Sequence, residues 1–418
     1  MIQILMAAWP AYLVLLLLGL STVSTKAAGA FWLSLIVLGI YDWLKKSRQN
    51  LLPCANPPQD TLNNIAKGWL IFCLVALAIK TIPMVYWSGP WQERHAEFRL
   101  LGGAIGSYLL LKYQRLPKNW GTVAGHALAA ACLLSFVLAA FWGSNEAPTN
   151  RIPWAAGVSV LSCLLLTWSF LELHNNRIRR LWQIFSLLGV CTVLISGVRG
   201  SYLLLLVWPT LWWVLGRWLG QLQTTDKLKE ILVGLTIVIA AVTLSPHAET
   251  PIQRGHAMVT DLLGHEDPSQ ATYANSSTGA RMVLWKAGLE AFQNHWFIGL
   301  GFAGGKDLIK QVGTKSQSDT VNSLGHFHND YIHTAVEFGI FGLLSYLVYS
   351  LGIAWCAWRL YGAGRAAAAT GLLAILFMHM STALSNMNFA HNYYPTVLSV
   401  AITLLLLSPR LQNASSNR

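Results

Sequence analysis

Long apolar runs, separated by short polar connections, fill most of the chain. A helix needs about 17–25 mostly apolar residues to cross the hydrocarbon core of a bilayer, and these runs approach or reach that length. They predict transmembrane helices near residues 9–24, 29–44, 66–84, 98–113, 121–142, 153–173, 181–198, 200–218, 229–246, 336–358, 366–385 and 392–408. We therefore expect an all-α polytopic membrane protein with about twelve transmembrane helices.

One long polar loop, residues 247–335, interrupts this pattern. It is too long to be a simple connection between two helices. The residues from Thr278 to Gln293 have the apolar spacing of an amphipathic helix, with Ser277 or Thr278 as the expected N-cap. A glycine-rich turn at 294–305 follows, where glycine permits a close backbone approach. The next residues, Lys306 to Val312, have the composition of a short helix.

The composition supports a membrane protein rather than a soluble one. Hydrophobic residues make up 54% and charged residues 11% of the 418 positions, whereas soluble proteins carry roughly 25% charged residues. The formal net charge of +12 would also suit nucleic-acid binding. The basic residues lie in short clusters between apolar runs, however, which is the positive-inside arrangement, so we expect no nucleic-acid partner.

The basic residues also predict the orientation in the membrane. Seventeen of the 29 Lys and Arg residues fall in alternate connections or in the C-terminal tail, and that side is expected to be cytoplasmic. Both termini then face the cytoplasm and the long loop faces outward. The chain divides into membrane helices one to nine (1–246), the large outer loop (247–335), and the last three helices with a short tail (336–418).

Two arginines occupy unusual positions on the outer side. Arg199 stands between two apolar runs with almost no connection between them, where a charge is costly unless it meets an anion or lines a polar cavity. Arg281 is expected in the first turn of the amphipathic helix, where amides and a guanidinium together make an anion site. The alternatives are an Arg199 that extends to the interface and an Arg281 that is simply solvated.

The segment that re-enters the membrane concentrates polar side chains, with His326, His328, Asn329 and Asp330 within five positions. A neutral imidazole accepts a proton near pH 7, which suits the activation of a hydroxyl nucleophile. The alternative is a histidine that only caps the helix or is held by a hydrogen bond. We expect no metal site, because the loop has no cysteine and no compact carboxylate cluster.

Other polar residues in or near the apolar runs are expected to have structural roles. His333 and Glu337 are four positions apart on a helix and can face each other. For Lys80, His126 and His379, packing within the core is the expected role.

Taken together, these motifs resemble the O-antigen ligase family of bacterial inner-membrane glycosyltransferases. The shared features are the many spans, the long outer loop late in the chain, a glycine-rich turn, and three segments: SGVRGSYLLLL at 196–206, TGARMVLWKAG at 278–288 and HFHNDYIHTAVEFG at 326–339. The topological resemblance covers nearly the whole chain, whereas the motifs are confined to these segments.

The resemblance implies a GT-C-like fold and an inverting transfer in the periplasm. The donor would be an O-antigen polysaccharide on undecaprenyl pyrophosphate, and the acceptor a sugar hydroxyl of the lipid A–core oligosaccharide. By position, Arg199 and Arg281 would bind the donor pyrophosphate and His328, directly before Asn329, would be the general base. His326 is also available as the base. No metal and no cofactor are implied.

Three other functions stay open at this point. An O-antigen polymerase or a protein O-oligosaccharyltransferase would use the same donor with a different acceptor. A lipid or glycan transporter would place charges along a path through the membrane, whereas here they gather in the outer loop. A non-catalytic envelope scaffold would leave the two arginines and the histidine unexplained.

Overall fold

A computed structural model describes residues 57–89, 95–113, 120–142, 150–171, 175–218 and 274–408, together with the single positions 234, 236, 240 and 243. The predicted spans 9–24 and 29–44 lie outside these ranges, as does nearly all of 229–246. Every regular element within the described ranges is helical.

Twelve α-helices occur in the described ranges. They are α1 (Pro57–Tyr86), α2 (His95–Tyr113), α3 (Trp120–Val137), α4 (Arg151–Leu171), α5 (Asn176–Ser196), α6 (Leu204–Trp218), α7 (Ser277–Asn294), α8 (Gly301–Lys315), α9 (Asp319–Ser323), α10 (Asp330–Gly362), α11 (Ala366–Ala383) and α12 (Tyr393–Leu407). A π-helical turn (Leu138–Trp142) extends α3, and 3-10 turns occupy Arg199–Ser201 and Asn388–Ala390.

Nine of these helices coincide with predicted spans, while α7, α8 and α9 belong to the long loop. Six of the nine are long and apolar enough to cross a membrane, namely most of α1, α3 with its π-helical turn, α4, α5, α10 and α11. The other three are marginal: α6 and α12 have 15 residues each, and α2 carries Glu97, Arg99 and Lys112. The chain is thus an integral, polytopic α-helical membrane protein.

Two helices lie at the centre of the described bundle. Nearly every residue of α4 is buried, as is every residue of α12. A helix that is apolar all round is expected to be surrounded by others. Gly157 of α4 allows this packing, because a Cβ there would lie 2.5 Å from the ring of Tyr393 on α12.

Helix α10 is broken at Gly339, whose φ of 60° and ψ of −146° are not helical. Residues 340–362 alone are long enough, at about 1.5 Å per residue, to cross a hydrocarbon core of roughly 30 Å. The predicted span at 336–358 therefore corresponds to the part after the break. Residues 330–338 form a separate short helical segment, which belongs with the loop.

The glycine-rich turn between α7 and α8 packs directly on this break. Leu300 N donates to Val336 O at 2.7 Å, and Ile340 N donates to Trp296 O at 2.8 Å. A Cβ on Gly299 would lie 2.6 Å from the Glu337 carbonyl, and one on Gly339 would lie 2.5 Å from the Phe297 carbonyl. The close backbone approach expected of this turn is confirmed.

The loop helices form a small core of their own with the start of α10. Its fully buried members are Ala280, Leu284, Ile309, Val321, Phe327 and Val336. The short helix predicted at 306–312 is longer than expected, beginning at Gly301 and ending at Lys315. This core joins α7 to the segment that contains the histidines.

Candidate functional site

Arg199 lies in a tight turn between helices α5 and α6. Helix α5 ends at Gly197, whose φ is 66° and whose N–H donates to Leu194 O at 3.0 Å. The 3-10 turn Arg199–Ser201 follows at once, and α6 starts at Leu204. Arg199 is only partly exposed, so this turn holds the guanidinium group at one end of the bundle.

Arg281 comes from the loop helix α7. The N-cap is Ser276, whose hydroxyl accepts from Gly279 N at 3.0 Å. The expected cap at Ser277 or Thr278 is wrong, because the helix begins earlier than its apolar spacing indicated. Arg281 therefore lies just beyond the first turn rather than in it. The first-turn amides are then expected to contribute less to an anion site at Arg281.

The structure places the two arginines close enough for their charges to interact. Burial lowers the pKa of Arg281, and the positive charge of Arg199 lowers it further. In the described part of the chain, the ion pairs join Lys80 with Glu97 and His333 with Glu337, so neither guanidinium has a carboxylate partner there. Two like charges close together and partly buried are stabilised by an anion that binds both.

The histidines lie in the turn that enters α10. The ring centroids of His326 and His328 are 4.2 Å apart. His328 is 8% exposed and adopts a left-handed backbone conformation, with φ of 51°. Such a conformation is uncommon for a residue other than glycine and is often found at functional sites.

One face of α7 holds this turn in place. Trp285, one turn after Arg281, donates from Nε1 to Phe327 O at 2.8 Å. Gly288 follows on the same face, and a Cβ there would lie 2.5 Å from Ile332 and 3.2 Å from the Phe327 ring. The TGAR, Trp and Gly of the loop motif thus place Arg281 and the His328 turn on the same side of α7.

Asn329 and Asp330 support the turn through hydrogen bonds. The Asn329 side chain caps α10 by accepting from Tyr331 N and Ile332 N, and its Nδ2 donates to Leu384 O at 2.9 Å. The buried Asp330 carboxyl accepts from Asn388 N at 3.0 Å and from Phe389 N at 3.4 Å. Asn329, rather than His328, is therefore the helix cap.

Burial, together with nearby positive charges, makes both histidines weak bases in the unliganded protein. Burial lowers the pKa of His328 to about 4, with a further contribution from the positive charge of Arg281. Burial and the neighbouring His328, His333, His391 and Arg281 lower the pKa of His326 to about 2. Both imidazoles are therefore neutral near pH 7, and His328 is the stronger base of the two.

The expected structural roles of the other polar residues are confirmed in part. His333 Nε2 lies 3.2 Å from Glu337 Oε1, as their spacing predicted. Lys80 does not simply pack in the core, because its Nζ forms a buried ion pair with Glu97 at 2.8 Å. The exposed His126 packs against Trp182 and accepts from its Nε1 at 3.4 Å.

His379 lies at the centre of a buried polar network that its apolar neighbours in the sequence did not indicate. Its Nε2 lies 2.9 Å from the Tyr346 hydroxyl and 2.8 Å from the Tyr349 hydroxyl. Its Nδ1 lies 2.9 Å from the Tyr394 hydroxyl. The network connects α10, α11 and α12. It lies close to Phe389, whose backbone N–H donates a hydrogen bond to Asp330.

The loop between α11 and α12 also lies close to the candidate site, although no sequence motif predicted this. His391 directly follows the 3-10 turn whose N–H groups donate to Asp330, and it is half-buried. It lies close enough to His326 to lower the pKa of His326. The sequence NFAHNYY at 388–394 contains polar residues between two predicted spans. That pattern is the signal that would have identified this loop as a part of the site.

In the described ranges, no group of three or more His, Cys, Asp or Glu side chains has the arrangement of a metal site. The prediction of a metal-free reaction stays a prediction. The groups that the structure does bring together include two guanidinium groups and the imidazoles of His326, His328 and His391.

Comparison with known proteins gives two matches. Residues 184–347 match the family described as O-antigen ligase. A Haemophilus influenzae protein described as uncharacterized is 24% identical over 250 residues, which is 57% of this chain and 60% of that protein. The family match begins in α5 and ends in α10, so it includes Arg199, Arg281 and the 326–330 segment.

Proposed function

We propose that this chain, whose residues 184–347 match the O-antigen ligase family, transfers O-antigen polysaccharide from undecaprenyl pyrophosphate to a sugar hydroxyl of lipid A–core. The observation that supports the proposal most is the proximity of Arg199 and Arg281, separated by 82 positions in the sequence, without a carboxylate partner among the described residues. Beside them lies a neutral histidine in a strained turn.

In this proposal the two guanidinium groups bind the pyrophosphate of the donor. Guanidinium groups recognise phosphate oxygens with two parallel hydrogen bonds and keep their charge at any physiological pH. As the bond between the anomeric carbon and the pyrophosphate oxygen breaks, negative charge builds up on the leaving group. Two fixed positive charges stabilise that charge in the transition state without a divalent cation.

His328 is proposed to be the general base. Its imidazole takes the proton of the acceptor hydroxyl while the acceptor oxygen forms the new bond to the anomeric carbon. The bonding electrons leave with the lipid pyrophosphate on the opposite face, so the configuration inverts. The bound pyrophosphate also counters the charge of Arg281, which raises the pKa of His328 towards the range where a general base is most effective.

His328 is preferred over His326 for two reasons. Its pKa is lowered to about 4, whereas that of His326 is lowered to about 2. The His328 turn is also held by both of its neighbours, through the Trp285 bond to Phe327 O and the Asn329 cap. His326 is then a neutral imidazole packed beside the base.

The protein is proposed to act in the bacterial inner membrane with its termini in the cytoplasm. Loop helices α7 to α9 and the start of α10 would then face the periplasm, where both lipid-linked substrates are available. The cytoplasmic side is inferred from the distribution of basic residues.

A transfer assay with purified protein tests this proposal. Undecaprenyl-pyrophosphate-linked glycan is offered with lipid A–core, with a Ser-containing pilin-like peptide, or with no added acceptor, each in EDTA. We expect transfer to lipid A–core and not to the peptide. We also expect this transfer to persist in EDTA, because arginine provides the charge stabilisation at the site. A requirement for added Mg²⁺ or Mn²⁺ would contradict the metal-free mechanism. Elongation of the lipid-linked glycan itself, or transfer to the peptide, would identify the polymerase or the protein transferase instead.

A further inference from the structure

The loop between α11 and α12, residues 384–392, is fixed to the candidate site although it lies outside the segment that matches the family. Asn329 donates to Leu384 O, and Asp330 accepts from the N–H groups of Asn388 and Phe389. These two residues directly follow the proposed base in the sequence. The loop therefore keeps a fixed position relative to His328.

The first part of this loop also packs on the turn that carries Arg199. A Cβ on Gly200 would collide with Ser385 Oγ, and it would lie 3.0 Å from both amide atoms of Asn386. Glycine at position 200 therefore lets the Asn386 amide lie directly against the backbone next to Arg199. Arg199 and Ser385, on either side of this contact, are partly exposed.

Hydrogen-bonding groups without partners gather at this contact. Asn386 is 1% exposed and Ser201 is fully buried. Among the residues that the structure describes, Asn386 Nδ2, Ser201 Oγ and Ser385 Oγ have no hydrogen-bond partner. A buried polar group without a hydrogen-bond partner lowers the stability of the fold by about 1–3 kcal/mol. Three such groups around one glycine are therefore unfavourable unless a ligand provides their hydrogen-bond partners.

The chemistry of these groups indicates the kind of ligand. An amide and two hydroxyls are uncharged and offer both donors and acceptors. They match the closely spaced hydroxyl groups of a sugar ring, whereas a phosphate is better matched by the adjacent Arg199 and Arg281. A sugar at this position would be either the donor sugar, which is attached to the pyrophosphate that the arginines bind, or the acceptor sugar, which becomes attached to that donor sugar.

We propose that Asn386, Ser385 and Ser201 form a subsite that binds hydroxyl groups of a pyranose beside the pyrophosphate site. The pyranose is the first sugar of the donor or the acceptor sugar, which share this chemistry. The inference rests on the proposed function, because it takes the arginines to be the site of the donor pyrophosphate. The subsite adds carbohydrate recognition to the pyrophosphate binding that the proposed function assigns to the arginines.

The test compares Asn386→Leu with wild-type protein in binding measurements that need no turnover. The probes are undecaprenyl pyrophosphate, the same lipid carrying one N-acetylhexosamine, and a core oligosaccharide released from lipid A, each followed by tryptophan fluorescence. Leucine has the same branched arrangement of heavy atoms as asparagine but no hydrogen-bonding group. We expect about a 3- to 10-fold weaker affinity for one of the two sugar-bearing probes, the size of one lost hydrogen bond. The affinity for the sugar-free lipid stays unchanged, and the affected probe identifies which sugar the subsite binds.

Asn63→Leu is the matched control. Asn63 lies in α1 and also has a buried oxygen without a partner among the described residues, at the end of that helix away from Trp87 and the loop turn. We expect it to leave all three affinities unchanged. Ser385→Ala, a smaller change at the same contact, gives the same readout should Asn386→Leu not fold.

Two results would overturn the subsite. One is an Asn386→Leu protein, or in its absence a Ser385→Ala protein, that folds normally and binds both sugar-bearing probes as wild-type does. The other is an equal loss of sugar affinity in Asn63→Leu. Failure of the proposed function has a different signature, since wild-type protein would then not bind sugar-free undecaprenyl pyrophosphate at all.

Discussion

At the residue scale, the site depends on side chains whose properties come from their neighbours. Arg281 lies near a second arginine, and neither has a carboxylate partner among the described residues. Such a pair of positive charges favours the binding of an anion. A histidine beside that arginine remains neutral well below its usual pKa. The sequence identified Arg199, Arg281 and His328 as candidates. It could not show that the two arginines are near each other, because they are 82 positions apart and only the tertiary fold brings the turn after α5 close to α7.

The pKa of His328 leads to a prediction about pH dependence. In the unliganded protein His328 binds a proton only as the pH falls through about 4. The profile of kcat/KM, which reports the free enzyme, should therefore show no acidic limb from this histidine between about pH 5.5 and 7.5. The profile of kcat should show its acidic limb at higher pH, because the bound pyrophosphate raises the pKa of His328.

The control for this profile is His326→Asn. His326 has a pKa of about 2 and should not contribute a limb, so the variant should keep the wild-type shape. An acidic limb of kcat/KM centred near the ordinary histidine value of about 6.5 would contradict the electrostatic description of the site.

At the scale of elements, a break in one helix and a glycine-rich turn position the site. The membrane-length part of α10 starts after Gly339, and the short segment before it packs with the loop helices. The sequence predicted the span and the close approach of the glycines. It did not predict the break, because Gly339 lies inside an otherwise continuous helical pattern, and only the docking of the 296–300 turn makes a break favourable.

The break predicts a specific effect of Gly339→Ala. Alanine rarely adopts a φ of 60° with a ψ of −146°, and its Cβ would overlap the Phe297 carbonyl. We expect a loss of about 2 kcal/mol or more in stability, measured as a lower thermal unfolding temperature in detergent.

Gly362→Ala provides the comparison within α10. A Cβ at Gly362 would meet nothing within 4 Å, so alanine there should leave stability unchanged or raise it through its better helix propensity. If the two variants unfolded at the same temperature, the break at Gly339 would not be a fixed part of the fold.

At the scale of the whole molecule, apolar helices hold a polar site at one end of the bundle. The apolar pattern sufficed to predict the described membrane helices to within a few residues at most of their ends, since hydrophobic length is a strong constraint in a bilayer. It could not predict which polar groups would meet between distant helices. Lys80 and Glu97, and His379 with its three tyrosines, became visible only in the packed structure.

The central claim is that the arginines bind the donor and His328 removes the proton of the acceptor. Single-turnover transfer of glycan from undecaprenyl pyrophosphate to lipid A–core, measured with wild-type and His328→Ala protein alongside donor binding, tests it most directly. We predict a loss of about 10²- to 10⁴-fold in rate, the usual contribution of a general base, with donor affinity unchanged. A folded His328→Ala protein that transferred glycan at the wild-type rate would contradict the account.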